Sequence, residues 1–553
     1  MVAIYRIISG QSLFISLLGI FMSVFSAGCR SGVGSDRLTP DSLKRLVEKD
    51  WNSTIPGNFS SQTVLSFDSL DIDQFLKQYP DLAIYGKSIR TFYGNRKMAF
   101  AWFDNEGLIE HAGNLADRIM NLKDEGVNKP IPYYQVLDSM IYSSGKFAAS
   151  EKITLELMLT AQYFAFANTA WEGMDASVSR ATNWYLPRKK ISYEQYLDSL
   201  LRSKADEDNE YKIPVYRQYE LLKKYLVKYR ELDRRNKWFL IKTGSKSYRP
   251  GDSSEIIAQV KQRLFDLGDF LGDTLNSYYD TSLEKAVRQF QLRHGLKDDA
   301  IIGRSAFDEL NVPYKTRIKQ LLVNMERSRW LPVRLNSDYL VVNVPEFKLH
   351  VYHADSLLWS CNVVVGQAVH KTVVFSGELK YVVFRPYWNV PRSIVVNEVL
   401  PDMRKNPGYI SRNNMEITGY RDGLPEIRQK PGTHNALGLV KFLFPNSYNI
   451  YLHDTPAKSL FGESSRAFSH GCIRISEPEK LANFLLRYDP SWDKEKISGA
   501  MHKGGERYVT LKDKVPVFIA YFTAFVDRSD RINFRKDIYS RDERLADMIL
   551  KEL

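Results

Sequence analysis

Residues 469–475 of this chain read SHGCIRI, and residues 448–454 read YNIYLHD. Successive side chains of a strand face opposite ways, so residues two apart lie on the same face. Tyr451 and His453 then share one face, and so do His470 and Cys472. If the segments are neighbouring strands, a thiol, a phenol and two imidazoles converge. The pattern therefore predicts a β-domain with a chemical site on these strands.

Cys472 is the candidate nucleophile of this site. A free thiol has a pKa of roughly 8.5 and is mostly protonated at neutral pH, so attack needs a neighbouring base or cation. His453 or His470 can supply the base. Attack on an amide carbonyl creates an oxyanion, for which the N–H groups of Gly471 and Cys472 and the Tyr451 hydroxyl are candidate donors.

Two residues beside the cysteine suit the same chemistry. Gly471 allows a backbone conformation that is closed to residues with a Cβ. Arg474 can hold a carboxylate through paired hydrogen bonds. These residue types favour acyl chemistry on a carboxylate-bearing substrate.

Two other interpretations compete with this one. Cys472 could be a buried structural cysteine beside hydrogen-bonded core histidines, although the joint occurrence of these residues argues against it. A zinc site is the other interpretation, and its possible ligands are His453, Asp454, His470 and Cys472. Because neither paired helical histidines nor a second cysteine accompanies them, we expect no metal and no other cofactor.

The chain around these segments is rich in short β-type runs. Strands are predicted at residues 339–344, 348–352, 361–365 and 380–384 from their length and their Val and Tyr content. Cys361 is predicted to be a packed core cysteine. Residues 515–526 contain Pro516 and are interpreted as a buried strand rather than a membrane span. A catalytic β-domain is therefore predicted over residues 335–526, followed by a tail over residues 527–553.

Proline and glycine punctuate a long excursion in this domain, at about residues 392–438. Insertions of this length are usually functional and often form a lid over a site. Since the excursion ends just before the strand of His453, we expect it to lie close to the cleft.

The region before the β-domain is interpreted as two units. Residues 38–245 are predicted to form a mainly helical scaffold, whose clearest helix covers Val215 to Arg235. After a break at residues 248–252, two helical patterns end near Gly268 and Gly295. The unit at residues 250–313 resembles the small peptidoglycan-binding domain of many wall enzymes, through Leu264, Leu267, Gly268, Tyr279, Asp280, Ala286, Val287, Phe290, Gln291, His294, Gly295, Leu296, Ile302, Gly303, Leu310 and Asn311.

Residues 1–29 have the layout of a signal peptide, in which Arg6 precedes an apolar run that is too short to span a bilayer. The end of this segment resembles a bacterial lipoprotein box and predicts lipidation of Cys29; an uncleaved anchor and simple secretion are the alternatives. Only Cys361 and Cys472 then remain, which excludes a disulfide framework. For an exported chain, the net charge of +12 indicates acidic envelope polymers or lipid headgroups as partners, and no nucleic acid.

The segment from Ser469 to Arg474, together with Tyr451 to Pro456, resembles the active-site signature of the YkuD-type L,D-transpeptidases. The resemblance implies that Cys472 attacks the third residue of a donor tetrapeptide stem, releases the terminal D-Ala and passes the acyl group to an amine of a neighbouring stem. The product is a 3-3 cross-link. The implied catalytic residues are Cys472 as nucleophile, His453 as general base and Tyr451 as oxyanion donor, with His470 and Gly471 in support, and Arg474 and Ser469 are implied to bind substrate.

The resemblance extends to large members of that family, through Trp388 to Pro391, Asn406 to Tyr409, and Tyr521 to Ala524. It implies an α+β multidomain fold with a helical scaffold, a small three-helix peptidoglycan-binding domain and a mainly-β L,D-transpeptidase catalytic domain. The excursion becomes a capping subdomain, which places Trp388 at the edge of the cleft as a substrate-binding residue.

Three functions remain open. An L,D-transpeptidase leads, an L,D-carboxypeptidase would resolve the same acyl-enzyme with water, and a wall-binding tether would have an inactive catalytic domain. The expected partners are peptidoglycan stem peptides and glycan, and the membrane through an N-terminal lipid or signal anchor. The expected location is the periplasmic side of the cell envelope.

Overall fold

The computed structural model describes residues 65–104, 107–142, 147–202, 213–235, 238–242, 247–332, 336–354 and 356–551. The predicted signal peptide, the Cys29 lipidation site and the beginning of the predicted scaffold lie outside these residues. Within the described ranges, no helix is long and apolar enough to cross a membrane.

The N-terminal part of the described chain is helical. Its helices are α1 (Ser69–Gln78), α2 (Gly86–Asn95), α3 (Glu110–Met120), α4 (Tyr134–Tyr142), α5 (Ala149–Phe166), α6 (Ala176–Ala181), α7 (Tyr193–Arg202) and α8 (Gln218–Arg234). Helix α8 lies within the predicted range from Val215 to Arg235. It buries Tyr219, Leu222, Leu226 and Tyr229 on one face, so the predicted helix is confirmed.

A compact three-helix unit follows, as predicted. It consists of α9 (Glu255–Leu267), α10 (Thr281–Arg293) and α11 (Arg304–Leu310) around its own hydrophobic core. Helix α9 ends at Gly268, whose φ of 86° is the left-handed conformation that glycine favours. The long, mostly buried helix α12 (Tyr314–Trp330) then leads into the β-region.

The C-terminal region is built on strands. They are β1 (Trp184–Tyr185), β2 (Asp338–Asn343), β3 (Lys348–His353), β4 (Ser356–Gly366), β5 (Val374–Phe384), β6 (Trp388–Asn389), β7 (Met415–Arg421), β8 (Leu424–Gln429), β9 (Val440–Leu443), β10 (Leu452–His453), β11 (Ala467–Ser469), β12 (Ile473–Ile475), β13 (Arg507–Ala520), β14 (Ala524–Val526) and β15 (Ile532–Phe534). The order β5-β13-β2-β3-β4-β12-β10-β9 closes into a barrel, because β9 also pairs with β5. Alternate residues fill its interior, among them Leu340, Leu349, Val363, Val382 and Ile473.

The four predicted strands correspond to β2, β3, β4 and β5 and are confirmed, except that β2 ends at Asn343 and Val344 begins a 3-10 turn. Cys361 packs in the barrel interior, as predicted, with only 5% of its surface exposed. Its burial raises the pKa of its thiol to about 11. Cys361 is therefore an inert core residue.

The predicted strand at residues 515–526 is wrong in one respect, because it is broken between Ala520 and Ala524. The Phe522 N–H donates to Asn343 Oδ1 at 2.8 Å and the Thr523 N–H donates to Asn324 Oδ1 at 3.0 Å. Two asparagine side chains thus accept the hydrogen bonds that a neighbouring strand would otherwise accept. The chain therefore leaves the barrel at this point. It continues as the β14–β15 hairpin, which packs in the core of the helical region.

The excursion forms a small subdomain beside the barrel. It contains α13 (Arg392–Ile394), a π-helical turn (Val395–Val399), α14 (Leu400–Lys405), α15 (Tyr409–Arg412) and a sheet of β6, β8 and β7. A separate hydrophobic cluster of Val390, Ile394, Val395, Val399 and Ile427 holds it together. Helices α16 (Pro478–Leu486), α17 (Lys494–His502) and α18 (Asp542–Lys551) complete an α+β multidomain fold, as predicted.

Candidate active site

The His453 segment and the Cys472 segment are neighbours in the barrel, which meets the condition set in the sequence analysis. Strands β10 and β12 run parallel, with Leu452 paired to Ile473 and His453 paired to Arg474. Leu452 and Ile473 belong to the barrel core, so His453 and Arg474 face outward. The ring of Tyr451 lies beside His453, with 5.7 Å between the ring centroids.

Between β11 and β12 the chain bends at residues 470–472. Gly471 adopts a φ of 114°, which supports the prediction that this position requires glycine. The Ser469 hydroxyl donates to the Cys472 carbonyl oxygen at 2.5 Å and accepts from the Gly471 N–H at 3.1 Å. Buried Ser469 therefore shapes the bend. Because the Gly471 N–H already has an acceptor, the Cys472 N–H is the better backbone candidate for an oxyanion donor.

The predicted convergence of both imidazoles on the thiol stays a prediction for His470, which pairs with the excursion in this structure. Its Nε2 lies 2.9 Å from Glu398 Oε1 in the π-helical turn of the excursion, and its ring centroid is 5.0 Å from that of His370. The prediction assumed a continuous strand through Cys472. The bend at Gly471 breaks the alternation and turns His470 toward the excursion.

The Cys472 thiol has two neighbours that can share its proton. Its Sγ lies 3.5 Å from the Asn449 carbonyl oxygen, and the backbone and hydroxyl of Tyr451 hydrogen-bond to it. Burial raises the pKa of Cys472, while these Tyr451 hydrogen bonds and the charge of Arg474 act against the rise. Burial and the nearby Cys472 raise the pKa of Tyr451, so its hydroxyl stays protonated. The resting site therefore holds a protonated thiol that needs a base.

His453 is a neutral imidazole in this setting. Burial and the positive charge of Arg474 lower the pKa of His453 to about 3. Hydrogen bonds to the backbone of Asp454 and Leu437 act in the opposite direction and only partly offset this change. Nδ1 lies 2.5 Å from the Asp454 carbonyl oxygen. Since a carbonyl only accepts, Nδ1 carries the hydrogen and Nε2 holds the lone pair. His453 is thus in the form of a base, although the thiol bonds to Asn449 and Tyr451 in this structure.

Arg474 is the cation of the site. Its Nε is buried and has no hydrogen-bond partner among the described residues. Burial lowers the pKa of Arg474, and the neighbouring Cys472 opposes the change. A half-buried arginine with an unused Nε–H beside the thiol suits a carboxylate ligand.

Asp454 fixes the end of the excursion against this site. Its carboxylate accepts from the Leu439 N–H at 2.8 Å and from Lys458 Nζ at 2.5 Å. Gly438 is required here, because a Cβ would lie 2.3 Å from Asp454 Oδ2 and its φ is 63°. The excursion therefore lies beside the site, as the sequence predicts.

Trp388 lies in the subdomain that the excursion forms. It pairs with Gln429 in the three-stranded sheet and packs against the hydrophobic cluster there. Its contact with a substrate stays a prediction.

Three contributors to the site have no signal in the sequence. Asn449 acts through its backbone carbonyl, so its side chain gives no indication. Glu398 reaches His470 only because the excursion folds back on the barrel. The Thr372 hydroxyl donates to the Gly471 carbonyl oxygen at 2.9 Å, a contact that depends on the closed barrel.

The four residues considered as zinc ligands have other partners. Asp454 bonds to Lys458 and Leu439, and His470 pairs with Glu398. Across the described part of the chain, no three His, Cys, Asp or Glu side chains are grouped closely enough to hold a metal ion.

Three family models match separate parts of the chain. The L,D-transpeptidase catalytic domain (YkuD) matches residues 337–517, a scaffold domain matches residues 87–226, and a peptidoglycan-binding domain matches residues 253–310. A relative from Haemophilus influenzae named "Putative L,D-transpeptidase" is 30% identical over 243 residues, which cover 41% of this chain and 49% of the relative. The chain thus spans about half the length of that curated relative.

Two solved structures are similar to about half of the chain. An L,D-transpeptidase (Yku) from Stackebrandtia nassauensis is 15% identical and covers 51% of this chain and 98% of its own, with a TM-score of 0.20. An L,D-transpeptidase from Xylanimonas cellulosilytica is 14% identical and covers 50% and 99%, with a TM-score of 0.16. Scores this low do not establish a shared overall fold. The three family matches show instead that separate parts of the chain are a scaffold domain, a peptidoglycan-binding domain and a catalytic domain of the YkuD L,D-transpeptidase family.

Proposed function

We propose that this protein is an L,D-transpeptidase that forms 3-3 cross-links between peptidoglycan stem peptides through an acyl-enzyme on Cys472. The observation that carries the proposal is the surroundings of the Cys472 thiol. The thiol lies beside the Tyr451 hydroxyl and Arg474, and the neighbouring strand carries His453 as a neutral imidazole. This set supplies a nucleophile, a base, an oxyanion donor and a cation.

In the first step, the Cys472 proton passes to Nε2 of His453, and the sulfur bonds the carbonyl carbon of the third residue of a tetrapeptide stem. The C–N bond to the terminal D-Ala breaks, and its nitrogen takes the proton from His453. In the second step, an amine of a neighbouring stem bonds the same carbon and gives a proton to Nε2 of His453, the C–S bond breaks, and the proton returns to the Cys472 sulfur. The first step requires the thiol to rotate about χ1, away from the Asn449 carbonyl.

The remaining groups of the site are proposed to bind negative charge on the reacting carbonyl and on the substrate. The Tyr451 hydroxyl and the Cys472 N–H are proposed to stabilise the oxyanion of each tetrahedral intermediate. Arg474 is proposed to bind a carboxylate of a stem peptide, because its planar fork matches carboxylate geometry.

Transfer is favoured over hydrolysis by the position of the excursion. It contacts the site at the Glu398–His470 pair and at the Leu439–Asp454 hydrogen bond. A subdomain held in this way can shield the acyl-enzyme from water while an amine approaches. An L,D-carboxypeptidase remains the second candidate, because it uses the same acyl-enzyme. A non-catalytic wall-binding lipoprotein is disfavoured, since no member of the Cys, His, Gly and Arg set is missing.

We further propose that the protein acts in the cell envelope, on the periplasmic side. The peptidoglycan-binding domain at residues 253–310 supports stem peptides and glycan as partners. Membrane attachment through Cys29 or an uncleaved signal segment rests on the sequence of residues 1–29.

Mass spectrometry of purified tetrapeptide-bearing wall fragments, after incubation with the full chain, tests this function. We expect cross-linked dimers and free D-Ala with the wild type, and neither with Cys472→Ala. Tripeptides without dimers would instead support the carboxypeptidase. Unchanged fragments after incubation with the wild type would support the non-catalytic wall-binding lipoprotein.

A further inference from the structure

Two buried hydroxyls connect the bend of Cys472 to the end of β4. The Thr372 hydroxyl donates to the Gly471 carbonyl oxygen and accepts from the Gly366 N–H, both at 2.9 Å. The Tyr539 hydroxyl donates to the Gly366 carbonyl oxygen at 2.5 Å and accepts from the Thr372 N–H at 3.2 Å. Thr372 and Tyr539 are both buried, at 0% and 2% exposure.

The hydrogens of this network can be arranged in only one way. Each hydroxyl lies between a carbonyl oxygen, which only accepts, and an N–H, which only donates. Burial also raises the pKa of Tyr539, so its hydroxyl keeps the proton that it donates. The network therefore fixes the direction of the groups that it contacts.

Backbone packing on the same side of the bend is tight. A Cβ on Gly366 would lie 2.0 Å from the His370 carbonyl oxygen and 3.1 Å from Gly471 Cα. The end of β4, the following turn and the bend thus pack backbone against backbone. There is little space for the peptide between residues 471 and 472 to rotate.

The C-terminal tail holds Tyr539 in place. The Tyr539 N–H donates to the Tyr521 hydroxyl at 2.9 Å, and that hydroxyl donates to Asp537 Oδ1 at 2.5 Å. Lys371 Nζ donates to the Tyr539 carbonyl oxygen at 3.0 Å. A continuous series of hydrogen bonds therefore runs from Asp537 to the residue before Cys472.

We propose that Thr372 and Tyr539 are positioning residues for acyl transfer, an inference that rests on the proposed role of Cys472 as nucleophile. The Gly471 carbonyl and the Cys472 N–H belong to one planar trans peptide, so they point in opposite directions. By holding the carbonyl, Thr372 also sets the direction of the Cys472 N–H, the backbone donor proposed for the oxyanion. Tyr539 holds Thr372 and links this donor to the C-terminal tail.

Two reactions of the same thiol in the full chain separate this role from general damage. We expect a carbapenem to acylate the thiol: the sulfur bonds the lactam carbonyl carbon, the lactam C–N bond breaks and the nitrogen takes the thiol proton, through an oxyanion. Iodoacetamide alkylates the thiol by displacing iodide, and no oxyanion forms. Intact-protein mass spectrometry against time gives both rates.

Thr372→Val removes the hydroxyl at nearly constant shape, and Thr372→Ser restores it. For Thr372→Val we expect acylation to slow by about 10- to 100-fold and alkylation to change by less than about threefold, because only acylation needs an oriented oxyanion donor. Thr372→Ser should recover most of the acylation rate. Equal slowing of both reactions, or unchanged acylation in a folded Thr372→Val protein, would overturn the inference.

Tyr539→Phe provides a second test of the inference if Thr372→Val does not fold. This variant retains the Thr372 hydroxyl and loses only its support, so acylation should slow by less than in Thr372→Val, with alkylation again unchanged. Wild-type acylation rates in Tyr539→Phe would overturn the role of Tyr539. A wild-type chain that carbapenem does not acylate at Cys472 would instead contradict the proposed nucleophile.

Discussion

His453 and Arg474 are register partners on the parallel strands β10 and β12, so an imidazole and a guanidinium lie side by side at the candidate site. Burial and Arg474 lower the pKa of His453 to about 3. The same guanidinium favours the thiolate of Cys472, against the effect of burial. One cation thus adds to the effect of burial on His453 and opposes the effect of burial on Cys472.

Replacing Arg474 with Gln should make Cys472 less reactive near neutral pH. Without the positive charge the pKa of Cys472 rises further, so less thiolate is present. We expect iodoacetamide alkylation at about pH 8 to fall by roughly 3- to 10-fold, with wild-type rates recovered at high pH. Arg421→Gln, at an exposed position in β7, is the matched control. An unmoved pH–rate profile would contradict the electrostatic role of Arg474.

Thiol chemistry and metal chemistry predict opposite responses to two reagents. Activity on wall fragments should be lost after iodoacetamide treatment and retained after EDTA treatment. Cys361→Ala should behave like the wild type in both, because Cys361 is buried and its pKa is about 11. Inactivation by EDTA without inactivation by iodoacetamide would favour the zinc interpretation.

The excursion should control the fate of the acyl-enzyme. Replacing residues 392–428 with a short Gly/Ser linker removes the contact with His470 and keeps the Leu439–Asp454 hydrogen bond. Since water then reaches the site more easily, products should shift from dimers toward tripeptides at equal acylation of Cys472. A replacement confined to the hairpin tip at residues 421–424 is the control. The same dimer-to-tripeptide ratio in a folded deletion variant would show that the excursion does not select the acceptor.

Acid should weaken the helical region through Glu125. Burial alone would raise the pKa of Glu125, but Arg118 and Lys223 outweigh it and lower the value to about 2. The folded pKa lies below the ordinary value, so this stabilisation is present above about pH 4.5 and is lost as the pH falls toward 2. Glu125→Gln should therefore lower the free energy of unfolding by about 3 kcal/mol at neutral pH. Urea titrations should show the deficit shrinking below pH 4.5. Glu231→Gln should show no comparable deficit, because the ion-pair partners of Glu231, Arg234 and Arg235, are exposed to solvent.

The parts of the fold that depend on local pattern could be predicted from the sequence. The Val-rich runs of β3 and β4 alternate regularly, and Cys361 follows that alternation into the core. The shared face of Tyr451 and His453 could be predicted in the same way, whereas the pairing of the His453 and Cys472 segments comes from the structure. Gly471 was expected to need an unusual conformation, and its φ of 114° agrees.

The parts that could not be predicted depend on contacts between distant segments. Alternation alone could not indicate the bend that turns His470 toward Glu398. The break after Ala520 arises because Asn343 and Asn324 capture the N–H groups of Phe522 and Thr523. Tyr539 lies in a tail without a motif, and it reaches the bend only through the closed barrel.

The most direct test of the account is the mass of the protein itself during turnover on a tetrapeptide stem that lacks an acceptor amine. We expect a transient adduct equal to the tripeptide part of the donor, joined as a thioester, with one free D-Ala released for each adduct. Peptide mapping should place the adduct on Cys472, and Cys472→Ala should show neither the adduct nor free D-Ala. Release of D-Ala by Cys472→Ala, or an adduct on another residue, would contradict the account.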